Sequence, residues 1–100
     1  MHLKGARKEA TPLLSPETIQ RLQAPPEGED YACGWIVTRR QWAGNDGIAL
    51  SHSGSNTMWY ATAWLAPAKD VAFAIVTNRG DGVAYRIVDR AFAPLIARWC

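Results

Sequence analysis

The spacing of four strand-like segments constrains the fold of this chain more than any other feature of its sequence. Each segment is rich in β-branched and aromatic residues, and each either alternates in polarity or is apolar throughout. The segments are residues 31–40, 48–53, 57–65 and 71–77. The gaps between them are too short for the crossovers of about a dozen residues that parallel strands need. The spacing therefore predicts an antiparallel four-stranded meander.

Two of the gaps carry sequences that are typical of turns. Residues 44–47 read Gly-Asn-Asp-Gly, which favours a hairpin, and residues 67–70 read Pro-Ala-Lys-Asp, which favours a type I turn. Residues 54–56, Gly-Ser-Asn, are expected to break the second strand from the third.

Helices are predicted on either side of the meander. Ser15 followed by Pro16 and Glu17 indicates the first turn of a short N-terminal helix, because serine caps free amides and proline suits that position. Asp81 is placed to cap a C-terminal helix whose apolar residues share one face. These residues are Ala84, Ile87, Val88, Ala91, Leu95 and Trp99. Pro94 is expected to kink or split that helix, because it removes a backbone donor and crowds the preceding turn.

Together these elements predict an α+β fold in which a short N-terminal helix and a C-terminal helix pack on the sheet. A chain of 100 residues, 48% of them hydrophobic, suits a single domain that spans residues 1–100. The net charge of +2 gives no argument for a nucleic-acid partner. No apolar run reaches the roughly 18 residues needed to cross a membrane. The charged N-terminus does not resemble a signal peptide, so we expect a cytoplasmic protein without a membrane partner.

The two cysteines, Cys33 and Cys100, do not combine with His2 and His52 into the spacing of a metal site. We expect free thiols, with Cys33 as a small core residue. Neither a metal nor a cofactor is expected.

Several short motifs occur in the order found in one enzyme superfamily. His52-Ser53-Gly54 is similar to the His-x-Gly triplet that esterase-like members of the serine β-lactamase and penicillin-binding-protein superfamily carry on the strand beside their active site. Residues 31–35 (Tyr-Ala-Cys-Gly-Trp) resemble the Tyr-Gly-x-Gly-Trp strand of that superfamily. Residues 56–60 (Asn-Thr-Met-Trp-Tyr) resemble the segment after the triplet in class C β-lactamase-like members. The chain thus resembles the C-terminal portion of such a hydrolase, a partial β-lactamase/transpeptidase-like fold.

The resemblance implies roles for the residues around the triplet. The backbone amide of Ser55 would supply an oxyanion-hole donor, and His52 and Ser53 would face the substrate. Gly54 would allow a ligand to approach the backbone closely. We expect ligand-binding residues in the segment after the triplet. They are Asn56, Trp59 and Tyr60.

The reactive elements of that superfamily are missing from the chain. No serine is followed by lysine three residues later, so the Ser-x-x-Lys nucleophile is absent, and no Tyr-x-Asn element occurs either. The sequence therefore predicts a non-catalytic module that binds a small molecule or associates with itself. Two alternatives stay open: half of a serine hydrolase that another chain completes, and a purely structural interaction domain.

Self-association is expected from the last strand. In the complete superfamily fold, N-terminal strands flank the strand that residues 71–77 resemble, and this chain has no such strands. An apolar edge left open in this way is an aggregation hazard unless something covers it. We therefore expect a homodimer.

Overall fold

A computed structural model describes residues 1–100, and it confirms the α+β fold with an antiparallel meander sheet. The sheet has five strands in chain order, each antiparallel to the next. They are β1 (Tyr31–Ala32), β2 (Trp35–Arg39), β3 (Ile48–Ser55), β4 (Tyr60–Ala66) and β5 (Val71–Thr77). Short 3-10 helices, Gln41–Ala43 and Pro67–Lys69, lie in the β2–β3 and β4–β5 connections.

The prediction of four strands is wrong, because residues 31–40 fold back on themselves. Cys33 and Gly34 both have positive φ angles, 45° and 99°, which is the backbone form of a tight two-residue hairpin turn. Tyr31 pairs with Ile36 across this turn. Cys33 is consequently exposed in the turn, and the expectation that it belongs to the core is wrong.

The predicted break at residues 54–56 is also misplaced. Gly54 and Ser55 continue β3 and pair with Ala61 and Tyr60 of β4. The chain reverses one step later because the Asn56 side-chain oxygen accepts hydrogen bonds from the amides of Met58 (3.2 Å) and Trp59 (2.8 Å). Residues 57–59, predicted to begin the third strand, therefore form the hairpin turn.

The predicted helices are present, and a further one precedes them. Helix α1 is His2–Ala6, α2 is Pro16–Leu22 and α3 is Gly82–Trp99. The Ser15 hydroxyl accepts from the Thr18 amide at 3.2 Å, as its capping role predicts. Asp81 caps α3 by accepting from the amides of Val83 (3.1 Å) and Ala84 (3.2 Å). No helix is both long and apolar enough to cross a membrane.

Helix α3 runs unbroken through Pro94, so the predicted split of this helix does not occur. The proline leaves the Arg90 carbonyl without its usual helical donor. Arg90 and Pro94 are both exposed, and water can satisfy the carbonyl there.

Helix α3 packs on one face of the sheet, over β4 and β5. Phe73, Val88 and Phe92 form a buried cluster between this helix and the sheet. The Trp42 ring meets the Trp64 ring edge-on at 5.8 Å, at the margin of the cluster. We call this side of the sheet the α3 face.

Helices α1 and α2 pack on the opposite face, over β2 and β3. Ile19 of α2 is completely buried and lies so close to Gly5 that any side chain there would overlap it. The His2 ring contacts the Trp35 ring edge-on at 5.3 Å. On the α3 face, the helix covers β4 and β5 only, so that face remains open over β2 and β3.

Candidate functional site

The predicted site residues on β3 alternate between the two faces of the sheet. Ser53 and Ser55 pair with Thr62 and Tyr60 and share the α3 face with them. His52 and Gly54 lie on the opposite face. The structure therefore does not bring His52 and its neighbouring serines together on one surface.

The His52 ring is held by the turn before β2. Its Nδ1 lies 2.5 Å from the Gly34 carbonyl oxygen. A carbonyl oxygen only accepts, so Nδ1 is the protonated nitrogen and donates this hydrogen bond. The ring is exposed and contacts no serine hydroxyl through this nitrogen.

The hairpin residues are mostly engaged in building their own turn. Asn56 uses its side-chain oxygen on two amides of the turn, and the Ser55 hydroxyl donates to the Trp59 carbonyl at 2.8 Å. Trp59 is 51% exposed and does not line any concave surface. Of the three predicted ligand-binding residues, only Tyr60 faces a concave surface.

That surface is a cleft of about 380 Å³ between α3 and the uncovered part of the α3 face. Serine and threonine side chains from three adjacent strands line it, together with aromatic and charged residues. The hydroxyl residues are Thr38, Ser51, Ser53 and Thr62. The aromatic residues are Tyr60, Trp64, Tyr85 and Phe92, and the charged residues are Asp30, Arg40 and Asp89.

Some of the hydroxyl residues of the cleft are buried, and only some of their hydroxyl groups form hydrogen bonds within the chain. Ser51 and Thr62 are each 8% exposed. The hydroxyl oxygens of Ser53 and Thr62 lie 2.8 Å apart and share a hydrogen bond. The Ser51 hydroxyl takes part in no side-chain hydrogen bond within the chain. The Ser51 hydroxyl is not among the fully buried polar atoms that lack a partner, so it is open to the cleft and offers a donor and an acceptor there.

Two opposite charges border the cleft without being paired. The Arg40 guanidinium carbon lies 5.4 Å from the centroid of the Trp64 ring, a cation–π distance. Asp89 lies on α3, one helical turn after Tyr85, so both side chains share the flank of the helix that borders the cleft. Neither Arg40 nor Asp89 takes part in the ion pairs of the chain, which join Arg7 with Glu9 and Asp70 and join Arg79 with Asp81.

The sequence interpretation missed most of this cleft because it followed the His-x-Gly triplet. The sequence nevertheless contained a pattern that indicates the residues of the cleft. Ser51, Ser53 and Ser55 recur at every second position, which places all three on one face of a strand. Tyr85 and Asp89 are four apart in a predicted helix. The sequence alone does not show that the serines of β3 and the two residues of α3 face each other.

No group of three histidine, cysteine, aspartate or glutamate side chains is arranged to hold a metal ion. Both cysteines are free, with Cys33 exposed and Cys100 partly buried. The side chains that line the cleft offer hydrogen bonding, aromatic contact and charge.

No protein-family model, curated protein or solved structure matches this chain.

Proposed function

We propose that this chain is a non-catalytic module that binds a small molecule, built on the partial β-lactamase/transpeptidase-like fold that its sequence resembles. The observation that carries the proposal is the cleft over β2 and β3, where the Ser51 hydroxyl opens onto the cleft and has no side-chain partner within the chain. Small-molecule sites are typically concave, largely apolar and equipped with a few convergent polar groups. The cleft is concave and has convergent polar groups, and 6 of its 13 lining residues are hydrophobic, so its lining is more polar than that of a typical site.

The lining favours an aromatic ligand that also forms hydrogen bonds. Tyr60, Trp64 and Tyr85 provide ring surfaces, and the hydroxyls of Ser51 and Ser53 provide donors and acceptors beside them. The unpaired carboxylate of Asp89 would attract a positive substituent on such a ligand.

Two observations support binding without covalent catalysis. The chain has no Ser-x-x-Lys element to activate a serine. His52, the only histidine near the β3 serines in sequence, lies on the face of the sheet opposite Ser53. A general base must come within hydrogen-bond reach of the group it activates, and this arrangement separates the two.

Binding can be measured by isothermal titration calorimetry and tryptophan fluorescence with a panel of cationic, neutral and anionic aromatic molecules. We expect a saturable signal for at least one cationic member. The change Ser51→Val should weaken it at least about tenfold, the loss expected for a buried hydrogen bond. Ser55→Ala is the matched control, because that hydroxyl serves the hairpin outside the cleft. The proposal fails if no panel member binds at millimolar concentration, or if Ser55→Ala is as damaging as Ser51→Val.

A separate assay tests the alternative that another chain completes a hydrolase. Turnover of nitrocefin and p-nitrophenyl esters is measured for the chain alone and mixed with a fragment that carries Ser-x-x-Lys. We expect no turnover in either case. Turnover that His52→Ala abolishes would establish catalysis and overturn the non-catalytic assignment.

A further inference from the structure

Strand β5 is an outer strand of the sheet and has no protection against pairing with another chain. Its only neighbour is β4, and all seven of its residues pair with β4 without a bulge. The sequence Val-Ala-Phe-Ala-Ile-Val-Thr contains no charged residue and no proline. Natural edge strands usually carry a lysine, a proline or a bulge that prevents further pairing. The outer backbone donors and acceptors of β5 are therefore presented on an uncharged, regular edge.

Helix α3 extends this edge with an apolar flank. Tyr85 and Asp89 mark the flank that borders the cleft over β2 and β3. Successive helical residues are about 100° apart, so Ile87 and Ala91 fall on the other flank, toward the β5 edge. Ile87 is 49% exposed there. Arg86 and Arg90 line the same shallow surface as Ile87, so the uncharged surface consists of the strand edge together with Ile87 and Ala91.

We propose that two copies of the chain associate through β5, antiparallel to each other around a two-fold axis at Ala74. A second copy is the occupant that the charge pattern of the strand favours, because an uncharged edge then meets an identical uncharged edge and the paired strands contain no charged side chain. Pairing centred on Ala74 uses all seven residues of the strand. It places Phe73 opposite Ile75 of the other copy on the α3 face.

The opposite face of the sheet fits this pairing as well. There Ala72 lies opposite Val76 of the other copy, so a small residue meets a larger one, and Ala74 lies opposite its own counterpart. Ala72, Ala74 and Val76 are exposed in the single chain. The result is one continuous sheet of two copies with an isologous interface, in which the same patch serves both partners. The cleft lies on the other flank of α3 and stays accessible.

The self-pairing of Ala74 gives a direct test by sedimentation velocity and light scattering across a range of protein concentrations. We expect the unmodified chain to be a dimer. The change Ala74→Lys should raise the dimer Kd at least about tenfold, because two like charges then lie directly opposite each other. The matched control is Ala61→Lys, an exposed alanine on the same face of β4, one strand away from the edge. We expect this control to dimerise normally.

A mixture of Ala74→Lys and Ala74→Glu chains provides the second measurement. Each variant should be monomeric alone, and the mixture should form a heterodimer, which also shows that both variants remain folded. The proposal is overturned if the unmodified chain is monomeric at all concentrations, if Ala74→Lys still dimerises, or if Ala61→Lys disrupts the dimer equally. Failure of the charge pair to restore association would exclude an axis at Ala74.

Discussion

Ser53 on β3 and Thr62 on β4 are direct cross-strand partners, and their hydroxyl oxygens lie 2.8 Å apart on the floor of the cleft. Each hydroxyl can donate one hydrogen and accept more than one. The two hydroxyls therefore satisfy each other in part and keep capacity for further hydrogen bonds. A neighbouring hydroxyl, that of Ser51, lies two residues before Ser53 on the same face.

If the cleft binds a ligand as proposed, Thr62→Val should weaken that binding markedly while lowering the free energy of unfolding only slightly. Valine keeps the shape of threonine but removes a hydroxyl from a residue that is 8% exposed. Ser53 is exposed and can bond to water instead, so we expect a stability loss of only about 0.5–1.5 kcal/mol. Calorimetric titration and thermal melting separate the two effects. A variant that melts many degrees lower, with ligand affinity unchanged, would show that the pair is structural.

Two glycines in helices are predicted to respond in opposite ways to the same substitution. In Gly5→Ala the new methyl group would overlap Ile19, so we expect a loss of about 1–3 kcal/mol in spite of the higher helix propensity of alanine. Gly82 is the first residue of α3, and a methyl group added there would meet no atom within 4 Å, so Gly82→Ala should gain about 0.4–1 kcal/mol. Urea denaturation measures the change in the free energy of unfolding for each variant. Equal effects of the two changes would mean that α1 does not pack on α2 in this way.

Most strands and helices followed from local rules, and the errors in the sheet arose at two turns that local patterns do not specify. Continuous apolar runs placed β5 and residues 60–65 of β4, and the caps Ser15 and Asp81 placed the starts of α2 and α3. The β1–β2 reversal requires a cysteine with positive φ, which is uncommon for that residue type, and nothing in the local sequence demanded it. The β3–β4 turn depended on how the Asn56 side chain bonds, a choice that pattern alone leaves open.

The cleft was harder to predict than the fold because it arises from where the helices pack. Periodicity showed that Ser51 and Ser53 share a face of a strand, but it did not show which layer covers them. That outcome depends on α3 packing over β4 and β5, through Phe73 and Phe92, instead of over the centre of the sheet. Such a lateral offset comes from tertiary packing, which is not a local property of the sequence.

The turn at Cys33 predicts different reactivities for the two thiols. Cys33 is exposed, whereas Cys100 is partly buried at the end of α3. Thiol modification requires access for the reagent, so we expect Cys33 to react with Ellman's reagent first and Cys100 more slowly. In urea the two rates should converge. The variant Cys33→Ser should lose the fast phase alone, and retention of that phase would place Cys33 in the core after all.

His2 predicts how stability depends on pH near neutrality. Partial burial, and then the nearby N-terminal ammonium, hold the pKa of His2 below its ordinary value. The unfolded chain therefore takes up a proton at higher pH than the folded chain does, at about pH 6.5. The stability associated with neutral His2 should be fully present above that pH and should decline as the pH falls through it. Urea denaturation between about pH 8 and pH 5 measures this decline, and His2→Gln should flatten it while Trp35 keeps a neighbour that does not titrate. A steeper decline in the variant, or stability that rises as the pH falls, would show that the folded chain favours the charged ring.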